Sequence, residues 1–328
     1  MSTNYISYSG FSTERKCPYA YWNKYIAKTT VDPENGINAL YGSAIGTIFE
    51  SFYRDRLWRD PSCVDRLHSL AEPHLDAAIA DTTKKGRIID WLDEKANYHS
   101  RGEILNDLHE TIPVGLQTIK QNRLVGPRME PELKLDHKFG SYIIGGRSDF
   151  VVQRVPPYND LVIIDGKGSK HRDKYVDGQP LKKGGKAEGV QLKWYAVLYR
   201  AKRGVIPDKL GYIFWRFSDE MAIEWIPFSE KDLDNLQAEV LAVIARIDKS
   251  VRKLDAISDT PQSHDELRQE LFPAQPSHNC TLCPFITICG DGQKEIQKYR
   301  RRARLNLPEG VTELTLGSDD CHFRKGTL

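Results

Sequence analysis

The chain has 328 residues, 40% of them hydrophobic and 28% charged, enough for one large domain or two ordinary ones with a true core. Its net charge of +2 excludes a polycation, so nucleic-acid contact has to come from local basic patches. No apolar run approaches the ~20 residues of a membrane span and no basic-then-apolar leader opens the chain, so a cytoplasmic protein with reduced cysteines is expected.

The stretch "STERKCPYAYWNKYI" predicts an aromatic-rich first helix with Ser12 as its N-cap. In "GINALYGSAIGTIFESFYRDRLW", Ile45, Ile48, Phe49 and Phe52 recur at helical spacing and predict a buried helix with Glu50 on one side. Residues 62–123 are helical in pattern and carry no strand signal, which suggests an inserted all-α lobe. The period then changes to two. "PELKLDHKFGSYIIGGRSDFVVQRV" predicts a hairpin turning at "FGSY", and "LVIIDGK" a short apolar strand. Residues 166–187 form a Gly/Lys-rich loop in this reading. "AEGVQLKWYAVLYRAK" is helical, "KLGYIFWRFS" and "MAIEWIPF" form a second hairpin, and a long helix follows Ser229, with Glu230 and Asp232 in its first turn. The expected core is therefore α/β, with helices around a small mixed sheet.

Chemistry gathers at particular positions. Strand alternation puts Asp165 and Lys167 on one face, and Asp149, on the preceding strand, can return beside them. Two carboxylates and a lysine suit a hard divalent cation and phosphodiester chemistry. Gln191 and Tyr195 share a helix face at i and i+4. Glu50 sits mid-helix among apolar residues, where an unpaired carboxylate is costly. Taken singly, each is also what an ordinary strand end, helix surface or salt bridge shows. Near the C-terminus, Cys280, Cys283 and Cys289 are spaced by two and five residues. A structural zinc or a 4Fe–4S cluster wants four ligands, and Cys17, Cys63, Cys321 or, for zinc, His278 could complete the set. Isolated cysteines are otherwise small buried hydrophobes.

In chain order, "GTIFES", "GRSD", "DGK" and "QLKWY" resemble the motifs of the PD-(D/E)xK nuclease superfamily in its RecB/AddB-like branch, which includes CRISPR-associated RecB-like nucleases. The departure is Glu50, which stands where that branch often has histidine. The resemblance implies a restriction-endonuclease-like core and a metal-dependent DNA nuclease, of exonuclease type. It implies catalytic roles for Asp149, Asp165, Lys167, Gln191 and Tyr195. Mg2+ or Mn2+ would sit on Glu50, Asp149, Asp165 and the backbone carbonyl of Gly166. Iron–sulfur members of the branch place one cysteine before these motifs and three after. The resemblance therefore implies that Cys17, in "ERKCPYAYW", is the fourth ligand of a 4Fe–4S clasp with Cys280, Cys283 and Cys289, and it favours iron where spacing alone also allows zinc.

The loop from Lys167 to Lys186 holds seven Lys/Arg against two Asp. Arg147, Lys170, Arg172, Lys174, Lys182 and Lys183 are candidates to track DNA phosphates, and the basic helix "KEIQKYRRRAR" is a second candidate. The competing expectation is a catalytically weak module of nuclease fold that docks a helicase or integrase. In either case residues 1–305 read as one RecB-like nuclease domain, with the insertion at about 62–123, the iron–sulfur segment at 278–292 and a polar tail over 306–328.

Overall fold

A computed structural model describes residues 4–31, 35–94, 96–169, 189–218, 222–256 and 261–305, the residues 261, 262 and 301–305 through their backbone alone. They fall into two compact units. One holds the described residues of Met1–Phe11 and Pro33–Asp255, the other those of Ser12–Asp32 and Ala256–Leu328. The chain opens with β1 (Tyr5–Ser7) and α1 (Tyr8–Lys16), followed by α2 (Pro18–Tyr21). The first helix thus starts before Ser12, which does not cap it. It ends where Pro18 forces Cys17 into an extended conformation, φ −166°.

The larger unit continues through α3 (Ile37–Arg54), α4 (Cys63–Lys84) and α5 (Arg101–Gln121). Strands β2 (Arg128–Lys134), β3 (His137–Phe139), β4 (Tyr142–Gly145), β5 (Arg147–Gln153) and β6 (Leu161–Lys167) follow, then α6 (Val190–Arg203), β7 (Lys209–Phe214), β8 (Ile223–Ile226) and α7 (Glu230–Asp255). Among the described residues the strands form two mixed sheets, ordered β1-β4-β3 and β2-β5-β6-β7-β8. The expected hairpin is therefore split. Its outer arms β2 and β5 pair in the larger sheet, while its tip, β3 and β4, joins β1 in the smaller one. β6 and β7 run parallel with α6 as the crossover between them, and β8 returns antiparallel. Ser229 and Asp232 close a reciprocal cap at the start of α7: the Ser229 N–H donates to Asp232 Oδ2 at 2.7 Å and the Asp232 N–H to Ser229 Oγ at 3.2 Å.

One face of the larger sheet, through Phe150, Val152, Val162, Ile164, Ile213 and Trp215, shares a hydrophobic core with Ile45, Ile48, Phe49 and Phe52 of α3, Leu67, Ala71 and Leu75 of α4, and Ile104, Leu108 and Ile112 of α5. Within residues 62–123, α4 and α5 are the helices, and the described residues between them are turns and bends with one isolated bridge from Ile88 to Asn35. The apolar faces of α4 and α5 are continuous with the sheet core, because α3 alone is too narrow to cover it. α6 and α7 pack against each other, and α6 also lies on β6 and β7. Alternation along β6 sends Leu161, Ile163, Asp165 and Lys167 to the face opposite that of Val162 and Ile164.

The smaller unit joins distant stretches of chain. α2 and the wide turn Trp22–Ile26 meet α8 (Pro261–Leu271), the cysteine-bearing segment and α9 (Gly290–Leu305). The Tyr19 N–H donates to the Pro273 carbonyl at 3.2 Å, and Trp22 lies 5.1 Å from Phe272 between ring centroids. No helix of the described residues is long and apolar enough to cross a membrane.

Candidate active site and cysteine cluster

The site forms where the sheet's ladders give out. β5 and β6 are paired as far as Phe150–Ile164, and the next residues in register are Asp149 and Asp165. On the other side of β5 the pairing with β2 skips Asp149 and its opposite number, Glu132. Freed there from sheet pairing, the Asp149 carboxylate accepts the Gly166 N–H at 2.8 Å. Gly166 must be small, since an added Cβ would meet the Trp215 indole nitrogen at 2.7 Å.

Asp165 is 2% exposed, and its Oδ2 accepts no hydrogen bond. The Lys167 ammonium lies against that oxygen as an ion pair, without the angle of a hydrogen bond. Lys167 Nζ donates to Gln191 Oε1 at 3.1 Å, and Gln191 Nε2 donates to the Tyr195 hydroxyl at 2.9 Å. The ammonium also stands 5.0 Å from the centre of the Tyr212 ring. Burial, reinforced by the negative charge of Asp165, pushes the Asp149 carboxyl well above the usual carboxylate range. Burial and Asp165 likewise raise the Tyr195 hydroxyl, which stays protonated.

Sequence reasoning missed Glu132. It has φ +50°, the left-handed region that a non-glycine residue avoids. Burial raises its carboxyl above the usual range; Arg147 opposes that rise, while Glu50 and Asp165 add to it. The one available signal was its place in "PELK", opposite Asp149 in the hairpin. Glu50 accepts Arg54 Nη1 at 3.0 Å, and Glu132 accepts Arg147 Nε at 2.6 Å. Arg147 is otherwise mostly exposed. Lys170, Arg172, Lys174, Lys182 and Lys183 lie outside the described residues.

Asp149, Asp165, Lys167, Gln191 and Tyr195 are thus brought together, with Glu50 and Glu132 within electrostatic reach. In the described residues no group of three or more His, Cys, Asp or Glu side chains is closed into metal-holding geometry. One observation nevertheless suits a cation here: the side-chain donors at the site are carboxylate oxygens, as Mg2+ and Mn2+ prefer.

The four cysteines lie within the smaller unit. Cys17, Cys280 and Cys289 each act electrostatically on Cys283. Each sulfur has a backbone N–H aimed at it: Gln275 to Cys17 at 3.4 Å, Ser277 to Cys280 at 3.4 Å, Gly292 to Cys289 at 3.3 Å, and Phe285 to Cys283. A Cβ added at Gly292 would stand 3.3 Å from Cys289 Sγ and 3.6 Å from Cys280 Sγ. Without metal, burial pushes the Cys283 and Cys289 thiols up. Four soft donors with N–H groups ready to stabilise thiolate charge fit a sulfur-ligated metal group. Cys63 belongs to the other unit.

A family model of the PD-(D/E)XK nuclease superfamily matches residues 5–290. No curated protein matches the chain. Among solved structures, a protein of Eubacterium rectale described as a "putative exonuclease" is 13% identical, with a TM-score of 0.42 over 85% of this chain and 93% of that one. The protein SSO0001 is 17% identical, with a TM-score of 0.28 over 86% and 95%.

Proposed function

Because the chain belongs to the PD-(D/E)XK nuclease superfamily, we propose that it hydrolyses phosphodiester bonds of DNA with Mg2+ or Mn2+, working from strand ends. The observation that carries this reading is the convergence of Asp149, Asp165 and Lys167 at the ladder's end, with the buried Asp165 carboxylate ion-paired to Lys167. Asp149 and Asp165 would hold the cation, with Glu50, Glu132 and the Gly166 carbonyl as neighbouring oxygen donors. A bound divalent cation supplies charge neutralisation at the scissile phosphate and acidifies a water molecule. Lys167, fixed by Gln191 and through it by Tyr195, holds a positive charge where the phosphate gains negative charge in the transition state, and orients the attacking water. Gln191 has its amide oriented at both ends, so the ammonium is preorganised.

In the smaller unit, Cys17, Cys280, Cys283 and Cys289 would hold a 4Fe–4S cluster, whose role is structural: it ties the two stretches of that unit together. Arg147 and the basic stretch containing Lys170, Arg172, Lys174, Lys182 and Lys183 would meet the DNA backbone.

The test is cleavage of end-labelled linear and circular DNA, single- and double-stranded, with Mg2+ or Mn2+. Asp165→Ala and Lys167→Ala should each lower kcat/KM by about 100-fold or more. Intact circles beside digested linear strands mark action from ends. Both variants cleaving like wild type would overturn the site assignment.

A further inference from the structure

Beyond the carboxylates, α3 runs out into a cleft of about 210 Å3 lined by Tyr53, Arg54, Arg56, Trp58, Arg59 and Pro131. Two of its lining residues neighbour the carboxylates along the chain. Arg54 pairs with Glu50 one turn back along α3, and Pro131 is the residue before Glu132. We propose that this cleft is a nucleotide subsite for single-stranded DNA, with Arg56 and Arg59 taking backbone phosphates and Trp58 stacking on a base.

The charge balance picks out these arginines. Arg54 is neutralised by Glu50 at 3.0 Å and Asp55 at 3.3 Å, and Asp60 is taken by Arg66 at 2.8 Å. Arg56 and Arg59 are exposed, and no carboxylate among the described residues is in ion-pair reach of either. Two uncompensated guanidiniums at the rim of a cleft suit phosphate oxygens. Arg56 is also held at φ +54°, a left-handed conformation that a non-glycine residue avoids. Such strain persists where the surroundings impose it and clusters at ligand sites. Trp58 is half-buried. It packs on Phe52 at 5.9 Å between centroids, while the Arg59 guanidinium lies 6.0 Å from its ring, so the indole is fixed and keeps an open side. The cleft is smaller than the roughly 300–1,000 Å3 of pockets that enclose a drug-sized ligand, so it takes one nucleotide of a strand rather than a duplex. Aromatic stacking beside cationic grooves is the general way to hold single strands without reading sequence.

This inference rests on the nuclease reading only for the identity of the strand, and its test avoids turnover. Anisotropy of a labelled single-stranded oligonucleotide is followed in EDTA, which withholds the cation. Arg56→Asn with Arg59→Gln should weaken binding about tenfold and flatten the slope of log Kd against log salt by about 1.4, about 0.7 per lost phosphate contact. Asparagine tolerates the left-handed backbone at position 56, and a thermal melt verifies the fold. Trp58→Leu should weaken binding about fivefold with the salt slope kept. A wild type that does not bind the strand, or a double variant with wild-type Kd and slope, overturns the subsite. A wild type that binds in this way but does not cleave with Mg2+ or Mn2+ overturns the nuclease reading and leaves the subsite standing.

Discussion

At residue scale, Glu132 separates what the backbone prefers from what the site needs. Its left-handed φ costs about 1–2 kcal/mol relative to glycine, whereas glycine within a strand gives back about 0.5–1 kcal/mol through chain entropy. Glu132→Gly should therefore fold with stability within about 1 kcal/mol of wild type. Its cleavage should fall at least about tenfold, because a carboxylate beside Asp165 is lost and Arg147 is released from its partner. Urea unfolding and kcat/KM measure the two sides. Full activity in the variant would reduce Glu132 to a surface partner of Arg147. The sequence made most of the cluster legible, because Asp165, Lys167, Gln191 and Tyr195 obey fixed strand and helix periods. Glu132 was not legible. Its importance comes from a gap in pairing between β2 and β5, and no period records a gap.

At the scale of elements, the order of helices and strands was readable from hydrophobic period, and so was the cap of α7. Two things were not. The tip of the long hairpin belongs to another sheet because β1, only three residues long, pairs with β4 from the far end of the sequence. The helices α4 and α5 also look self-contained in pattern, since amphipathicity shows that a face is apolar without showing its partner. Their integration into the core is specific. Phe49 and Trp215 stack at 4.0 Å with planes 13° apart, and Gly115 of α5 lies so close that an added Cβ would stand 2.3 Å from the Phe49 ring. Alanine is the better helix former by about 1 kcal/mol, but forcing it against two stacked rings costs roughly 1–3 kcal/mol. Gly115→Ala should thus be destabilising, by up to about 2 kcal/mol in urea unfolding. A stability equal to wild type would mean that Phe49 can swing away. Displacement there should also reach the site, because Phe49 is followed by Glu50.

At the scale of the whole molecule, the smaller unit poses the harder stability problem. It joins stretches as far apart as Cys17 and Gln275, 258 positions along the chain. Closing such a loop costs on the order of 5 kcal/mol before any contact is counted. The apolar residues buried there include Ala20, Tyr21, Ile26, Phe272 and Phe285, a small core of the kind that is usually reinforced by disulfides or metal. Four thiolates drawn from both stretches would make metal-binding energy into folding energy at this point. Cys17→Ser removes the only one of these thiols contributed by the N-terminal stretch. Purified without oxygen, the wild type should be brown, with about four irons per chain, and the variant should lose most of the iron. Hydrogen exchange should then accelerate across Pro18–Ile26 and Pro261–Leu271, while β5, β6 and β7, in the other unit, keep their protection. A colourless wild type with stoichiometric zinc would replace iron by zinc at the same thiols. A Cys17→Ser protein with full metal content and unchanged exchange would detach Cys17 from the cluster and leave the unit to be held by Tyr19, Trp22 and their partners alone.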